Sequence, residues 1–228
     1  MGRTRVFSHE DRIFEDRREA GRILSEALKE FRGKDAVVLG IPRGGLVVAA
    51  EIARAIEADL DVALTRKIGA PLQPELAIGA LSESGQIYLN SALAAQVGAD
   101  GGYIEREKAR QAGVIKERAQ QYRKVRPKVP LAGRLVIVAD DGVATGATML
   151  ATLWSLAQEK PQRLIVALPV ATEDAVEVLA GAADDVVVLQ VPIYLAGISQ
   201  FYGDFSQTGD DEVVDILRES LAWKGQKP

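Results

Sequence analysis

Apolar residues recur along this chain in two rhythms. Between positions 10 and 31, Ile13, Phe14, Ala20, Ile23, Leu24, Ala27, Leu28 and Phe31 fall on one face at helical spacing, and Arg32-Gly33-Lys34 closes the pattern. A helix over 10–31 is predicted. The rhythm then changes to short, unalternating runs rich in Val and Ile, at 36–40 (AVVLG), 60–65 (LDVALT), 135–139 (LVIVA), 163–169 (RLIVALP) and 185–191 (DVVVLQV). Strands buried on both faces have this composition. Helical patterns follow at 44–58, about 146–158 and 173–180. Strand–helix alternation predicts an α/β fold, a five-stranded parallel sheet flanked by helices with right-handed crossovers.

Two segments break the alternation. Residues 75–90 (ELAIGALSESGQIYLN) read as a hairpin around 83–85, and 102–124 as a long charged helix with a thin apolar stripe of Ile104, Ala112, Ile115, Ala119 and Tyr122. Ligands of open α/β sheets bind beyond the carboxyl ends of the strands. An insertion between the second and third strands is placed to act as a lid there. From 192 the tail leaves the sheet, carrying Tyr194, Phe201, Tyr202 and Phe205 and ending in an amphipathic helix near 211–223.

With 228 residues, the chain is expected to form a single domain over 1–228, with the insertion at about 71–125 and the tail segment at about 192–228. It contains no cysteine, which excludes disulfides, thiolate metal sites and a cysteine nucleophile. A net charge of −4 gives no sign of the basic face that nucleic acid requires. No apolar run approaches the ~20 residues of a membrane span, and residues 1–21 lack the apolar core of a signal peptide. A cytoplasmic protein is expected.

The candidate chemistry sits in Asp140-Asp141-Gly142-Val143-Ala144-Thr145-Gly146-Ala147-Thr148, between a buried strand and a helix. The first N–H groups of a helix have no partner within it, so they form an anion site reinforced by the macrodipole. Gly146 and Ala147 let a phosphate approach the backbone, and Thr145 and Thr148 add hydroxyl donors. Two carboxylates at the strand end are acceptors suited to a sugar diol. A turn aspartate at 140 and an N-cap at Thr145 form the competing explanation. Neither G-x-x-x-x-G-K nor G-x-G-x-x-G is present. A second glycine-flanked turn, Gly40-Ile41-Pro42-Arg43-Gly44-Gly45, opens another helix, and Arg66-Lys67-Ile68-Gly69 follows the second strand.

The string VIVADDGVATGAT resembles the motif that binds phosphoribosyl pyrophosphate (PRPP) in type I phosphoribosyltransferases. The resemblance extends from FEDRREAG through IPRGG and RKIGAPLQPELAIGA to FYGDFSQTGDDEV, and is nearest to bacterial predicted phosphoribosyltransferases of unassigned acceptor. It implies a hairpin lid and a small hood. It assigns the ribose hydroxyls of PRPP to Asp140 and Asp141, and the 5-phosphate to Ala144, Thr145, Gly146, Ala147 and Thr148, with Gly142 and Val143 in the same loop. It assigns pyrophosphate to Pro42, Arg43, Gly44 and Gly45. Asp140, Asp141, Arg66 and Lys67 are the catalytic candidates. Mg²⁺ is expected with PRPP, touching Asp140 or Asp141 directly or through water. The implied reaction replaces pyrophosphate by a nitrogen nucleophile, a nucleobase in nucleotide metabolism and purine salvage, in a homodimer. Ala144 stands where hypoxanthine–guanine enzymes carry Asp, and matches the loop of adenine enzymes. The acid–base group is open, with Glu75 and Glu83 in the lid as candidates. Tyr194, Phe201 and Tyr202 are candidates for stacking on a flat ring. His9, the one histidine, is given no role. A PRPP or nucleotide sensor without catalysis, and a Mg²⁺ phosphohydrolase using Asp140 as nucleophile, are the alternatives.

Overall fold

The structure is a computed structural model that describes residues 2–223. Its main sheet has six parallel strands: β1 (Arg3–Ser8), β2 (Ala36–Gly40), β3 (Asp59–Val62), β7 (Leu135–Ala139), β8 (Arg163–Val170) and β9 (Asp185–Gln190), in the order β1-β9-β8-β7-β2-β3. A second sheet of three antiparallel strands, β4 (Thr65–Gly69), β5 (Ala77–Ser82) and β6 (Ile87–Leu89), is inserted after β3. Side chains alternate across the main sheet. Val38, Ile137, Ile165 and Val187 face α1 (Arg17–Ala27), α2 (Gly44–Ile56) and α7 (Asp210–Trp223), whereas Val37, Val136, Val138, Val166 and Val188 face α5 (Ala147–Ala157) and α6 (Glu173–Ala180).

The sheet has six strands rather than the five expected. The extra one, β1, runs parallel to β9 at the edge, with Arg3 and Arg5 exposed or half-buried. Charged residues on an edge strand protect it from further pairing and erase the apolar signature of a strand. The expected helix over 10–31 begins only at Arg17. The Asp16 carboxylate accepts from the Glu19 N–H at 2.7 Å and caps it. Residues before it are held by the tail: the Phe14 N–H donates to the Phe201 carbonyl at 2.8 Å, and Ile13 is exposed. The helix also ends early, at Ala27, with a 3₁₀ turn at Lys29–Phe31.

The apolar run at 60–65 is split. Its first part is β3, Ala63 and Leu64 form a link, and Thr65 starts the small sheet. The hairpin is present as β5 and β6, with the Gly85 N–H closing the turn onto the Ser82 carbonyl. It is a packed layer. Every residue of β5 is buried, the sheet lies on α5, and the Tyr88 and Trp154 rings stand 5.0 Å apart. Ile68, Ile78 and Leu81 share a local core with Ala94 of α3 (Ser91–Gln96) and Ile115 of α4 (Gly101–Tyr122). In the tail, Phe201 and Tyr202 pack into the main core and α7 lies against α2 and α4. Residues 224–228, the end of the tail segment, lie outside the described residues. No helix among the described residues is long and apolar enough to cross a membrane.

Candidate functional site

Strand order places the two glycine-bearing turns side by side. β2 and β7 are hydrogen-bonded neighbours, with Gly40 opposite Ala139, so the turns that leave them emerge together although about a hundred residues separate them. The Ile41 N–H donates to the Ala139 carbonyl at 3.0 Å, and the Pro42–Arg43 peptide is cis. The two loops touch through their glycines. A Cβ on Gly45 would lie 2.8 Å from the Ala139 carbonyl and 2.8 Å from Asp140 Cα, and one on Gly44 would strike Asp141 Oδ2 and the Arg17 guanidinium. Larger residues there would push the first turn off the acidic pair.

Asp140 to Gly146 link the end of β7 to α5, which starts at Ala147. The Val143 N–H is tied to the Val170 carbonyl, and the Thr172 hydroxyl donates to the Ala144 carbonyl at 2.7 Å. Ala144, Thr145 and Thr148 are exposed. Gly146, at φ +75°, is the N-cap of α5 and has no side chain to cap with, and the Thr145 hydroxyl accepts from the Ala147 N–H at 3.5 Å. Thr145 is therefore not the N-cap. The other N–H groups of the first turn and the exposed Thr145 and Thr148 hydroxyls are the groups that an anion at this helix end would meet.

The acidic pair is held from three directions. The Asp141 N–H donates to Asp140 Oδ1 at 2.9 Å, Arg17 Nε donates to Asp141 Oδ2 at 2.7 Å, and the Tyr202 hydroxyl donates to the Asp141 carbonyl at 2.6 Å. Enclosure by protein, reinforced by the Asp141 charge, raises the Asp140 carboxyl well above the usual carboxylate range. Burial, and then Asp141, raise the Tyr202 phenol too. Among the described residues, Asp140 Oδ2 and Asp141 Oδ1 receive no hydrogen bond and remain open as acceptors.

The other charged candidates have partners outside this pair. Arg43 approaches Asp210 at 3.7 Å, and the Tyr122 hydroxyl donates to the same carboxylate. Arg66 and Lys67 lie in β4 of the small sheet rather than at the edge of the main one. Arg66 Nε donates to Gln111 Oε1 on α4 at 2.8 Å, and Lys67 pairs with Glu75 at 2.7 Å. Desolvation first, then Arg118 and Arg110, lower the pKa of Arg66. Glu83 is engaged by Arg123 (Nε–Oε1 2.6 Å), which also pairs with the buried Asp61. Glu75 and Glu83 are thus both held in ion pairs within the insertion. Phe201 and Tyr202 are buried, whereas Tyr194 is 73% exposed. His9 is exposed near the start of the chain. Arg17 escapes sequence reasoning, because in FEDRREAG it looks like any solvated helix charge; the resemblance of that string is the one signal pointing to it.

Known proteins resemble this chain in sequence and in fold. Residues 10–196 match the family described as "Phosphoribosyl transferase domain". Two Mycobacterium tuberculosis proteins, from strains CDC 1551 / Oshkosh and ATCC 25618 / H37Rv, each named "Putative phosphoribosyl transferase", are 40% identical over 206 residues, 90% of this chain. The chain spans about half the length of these curated relatives, 46% of each. The crystal structure of TT1426 from Thermus thermophilus superposes with a TM-score of 0.85 at 49% identity, covering 91% of this chain and 98% of that one. A match over most of the chain, on a parallel sheet whose adjacent β2 and β7 loops meet at an acidic pair, shows that the chain belongs to the phosphoribosyl transferase domain family.

Proposed function

We propose that the protein transfers the 5-phosphoribosyl group of PRPP to a nitrogen acceptor, a nucleobase, with release of pyrophosphate. One observation carries the reading: the Gly44–Gly45 turn packs directly on Asp140 and Asp141, beside the open N-terminus of α5. That junction offers an anion site for the 5-phosphate, acceptors for the ribose diol and a tight turn for pyrophosphate. In the reaction the bond between the anomeric carbon and the pyrophosphate oxygen breaks, and pyrophosphate takes the electron pair. The acceptor nitrogen forms the new bond and loses its proton. The protein orients the reactants and stabilises the separated charge.

Mg²⁺ fits the donor set. Among the described residues no group of three or more His, Cys, Asp or Glu side chains could hold a metal ion, so there is no dedicated cage. Asp140 Oδ2 and Asp141 Oδ1 are open oxygen acceptors, and Mg²⁺ prefers one or two carboxylates plus waters and substrate phosphates. They would hold the ion directly or through water, and the ion would neutralise the departing pyrophosphate. Ala144 places no carboxylate beside the acceptor, which favours a base other than a 6-oxopurine. The same reading, by resemblance, carries with it purine salvage, a homodimer and a cytoplasmic place of action. A second reading, a PRPP-binding regulator without turnover, is supported by the engagement of Glu75 and Glu83, which leaves neither of those lid carboxylates free as a base.

Turnover of PRPP and Mg²⁺ against a panel of nucleobases, followed by pyrophosphate release, separates the readings. Release with one base and not with others supports the transferase and names its acceptor. Tight PRPP binding without turnover on any base supports the regulator. Phosphate release from simple esters without a base overturns both in favour of a hydrolase.

A further inference from the structure

The cation that pairs with the acidic loop comes from α1, 124 positions away in sequence. Arg17 Nε donates to Asp141 Oδ2 at 2.7 Å, and its Nη1 donates to the Ser206 carbonyl at 2.8 Å. Its guanidinium carbon lies 3.8 Å from the centre of the Phe205 ring, which is itself 5.0 Å from the Tyr202 ring. The side chain is 11% exposed. Four segments therefore meet on one guanidinium: the start of α1, the Gly44 turn, Asp141 and the tail at 205–206.

An ion pair that merely fastened the tail to the surface would be screened and contribute little. This one is different in geometry. The planar fork is fixed by two acceptors and an aromatic face, which is the setting in which Arg differs most from Lys. It occupies one oxygen of Asp141 and leaves the other, Oδ1, without a hydrogen bond among the described residues. A carboxylate clamped on one side presents a single acceptor in a fixed direction. Binding a diol gains from that, because the acceptor need not be ordered when the ligand arrives.

We propose that Arg17 is a positioning residue for the phosphoribosyl donor: it clamps one oxygen of Asp141, so that the other is presented to the sugar diol as a preformed acceptor. The inference rests on the PRPP-binding reading above. Arg17 acts through Asp141 on the sugar, and the phosphates are bound by the backbone turns.

The test is calorimetric titration, with Mg²⁺, of PRPP, ribose 5-phosphate and pyrophosphate into the wild-type protein and two variants. Arg17→Met keeps packing over Phe205 and removes the donors, and Arg17→Lys keeps the charge and removes the fork. Arg17→Met is expected to weaken PRPP and ribose 5-phosphate by about 10-fold while pyrophosphate changes by less than about 2-fold, since a charged hydrogen bond is lost only on the sugar side. Arg17→Lys should fall between. In an Asp141→Asn background, Arg17→Met should add almost nothing, which a purely structural role would not produce. Unchanged sugar binding in both variants overturns the inference. So does a parallel loss of all three ligands, or a loss confined to pyrophosphate. A wild-type protein that binds no PRPP overturns the proposed function and this inference with it.

Discussion

The β2–β7 junction and the β4–β6 insertion both adjoin α5, the first at its N-terminus and the second along its side, and they use polar groups in opposite ways. At the junction, donors and acceptors from distant segments are left half-committed. Asp140 and Asp141 each keep one carboxylate oxygen open, and the N-cap of the helix that follows is a glycine with no side chain. In the insertion, Lys67 is closed onto Glu75, and Arg123 onto Glu83 and Asp61, while Arg66 bonds Gln111. The Arg123–Asp61 pair is buried and specifies structure, the Lys67–Glu75 pair lies at the surface, and polar groups left unpaired carry a cost that function explains. The contrast separates a donor site, built by strand order and glycine contacts, from a scaffold beside it.

The largest effect is expected from breaking the scaffold. Arg123→Met would leave the Asp61 carboxylate, 2% exposed, with only the Val62 and Val129 N–H groups as partners. Breaking a buried pair from one side costs about 3 kcal/mol. The midpoint of denaturant unfolding should fall accordingly, while PRPP affinity of the folded protein stays unchanged. Weakened PRPP binding at full occupancy of the fold would mean that the two regions are not separable. A smaller loss, about 1–3 kcal/mol, is expected from Gly45→Ala, where the added methyl meets backbone that cannot swing aside. Here stability and PRPP affinity should fall together. Below that come Asp141→Asn and Thr145→Val, each expected to cut PRPP affinity or turnover by about 10-fold, with little change in unfolding for the exposed Thr145. Unchanged kinetics in both would remove the loop assignment.

The two regions also differ in how far the sequence reveals them. β2 and β7 appear at the expected residues because strands buried on both faces have an apolar signature that no partner is needed to read. Both glycine turns are local strand–turn–helix strings, and their contact follows once β2 and β7 are neighbours. β1 is illegible because its edge position lets Arg3 and Arg5 replace the apolar pattern. Local periodicity misplaces the start of α1 because Phe14 is buried by the tail, through a bond to Phe201 that no local rule can anticipate. Arg17 stays hidden for the same reason, since its partner Asp141 lies 124 positions away. Arg66 and Lys67 look like a strand end because the run at 60–65 hides the two-residue link where the chain changes sheets. The donor site is thus legible where it is local, and the side chains around it are not.

The smallest effect gives the sharpest view of the half-committed state. Asp140 is held with its carboxyl raised above the ordinary value by enclosure and by the Asp141 charge, while the Asp141 N–H and Arg17 pull the other way. A carboxyl raised on folding binds its proton more tightly in the native state. Its contribution to stability is present in full below the unfolded value of about 3.9 and is lost as pH rises through the folded value. The group therefore favours the fold less at neutral pH than it does at low pH. Asp140→Asn removes the titration while keeping an acceptor oxygen for the Asp141 N–H. Its melting temperature should exceed that of the wild type at pH 7, and the gap should close as pH falls toward about 4. PRPP affinity should drop in the same variant. A melting temperature below the wild type at pH 7, or a gap independent of pH, would show that the Asp140 charge is accommodated without cost, and the contrast between an open donor site and a closed scaffold would then fail at its central residue.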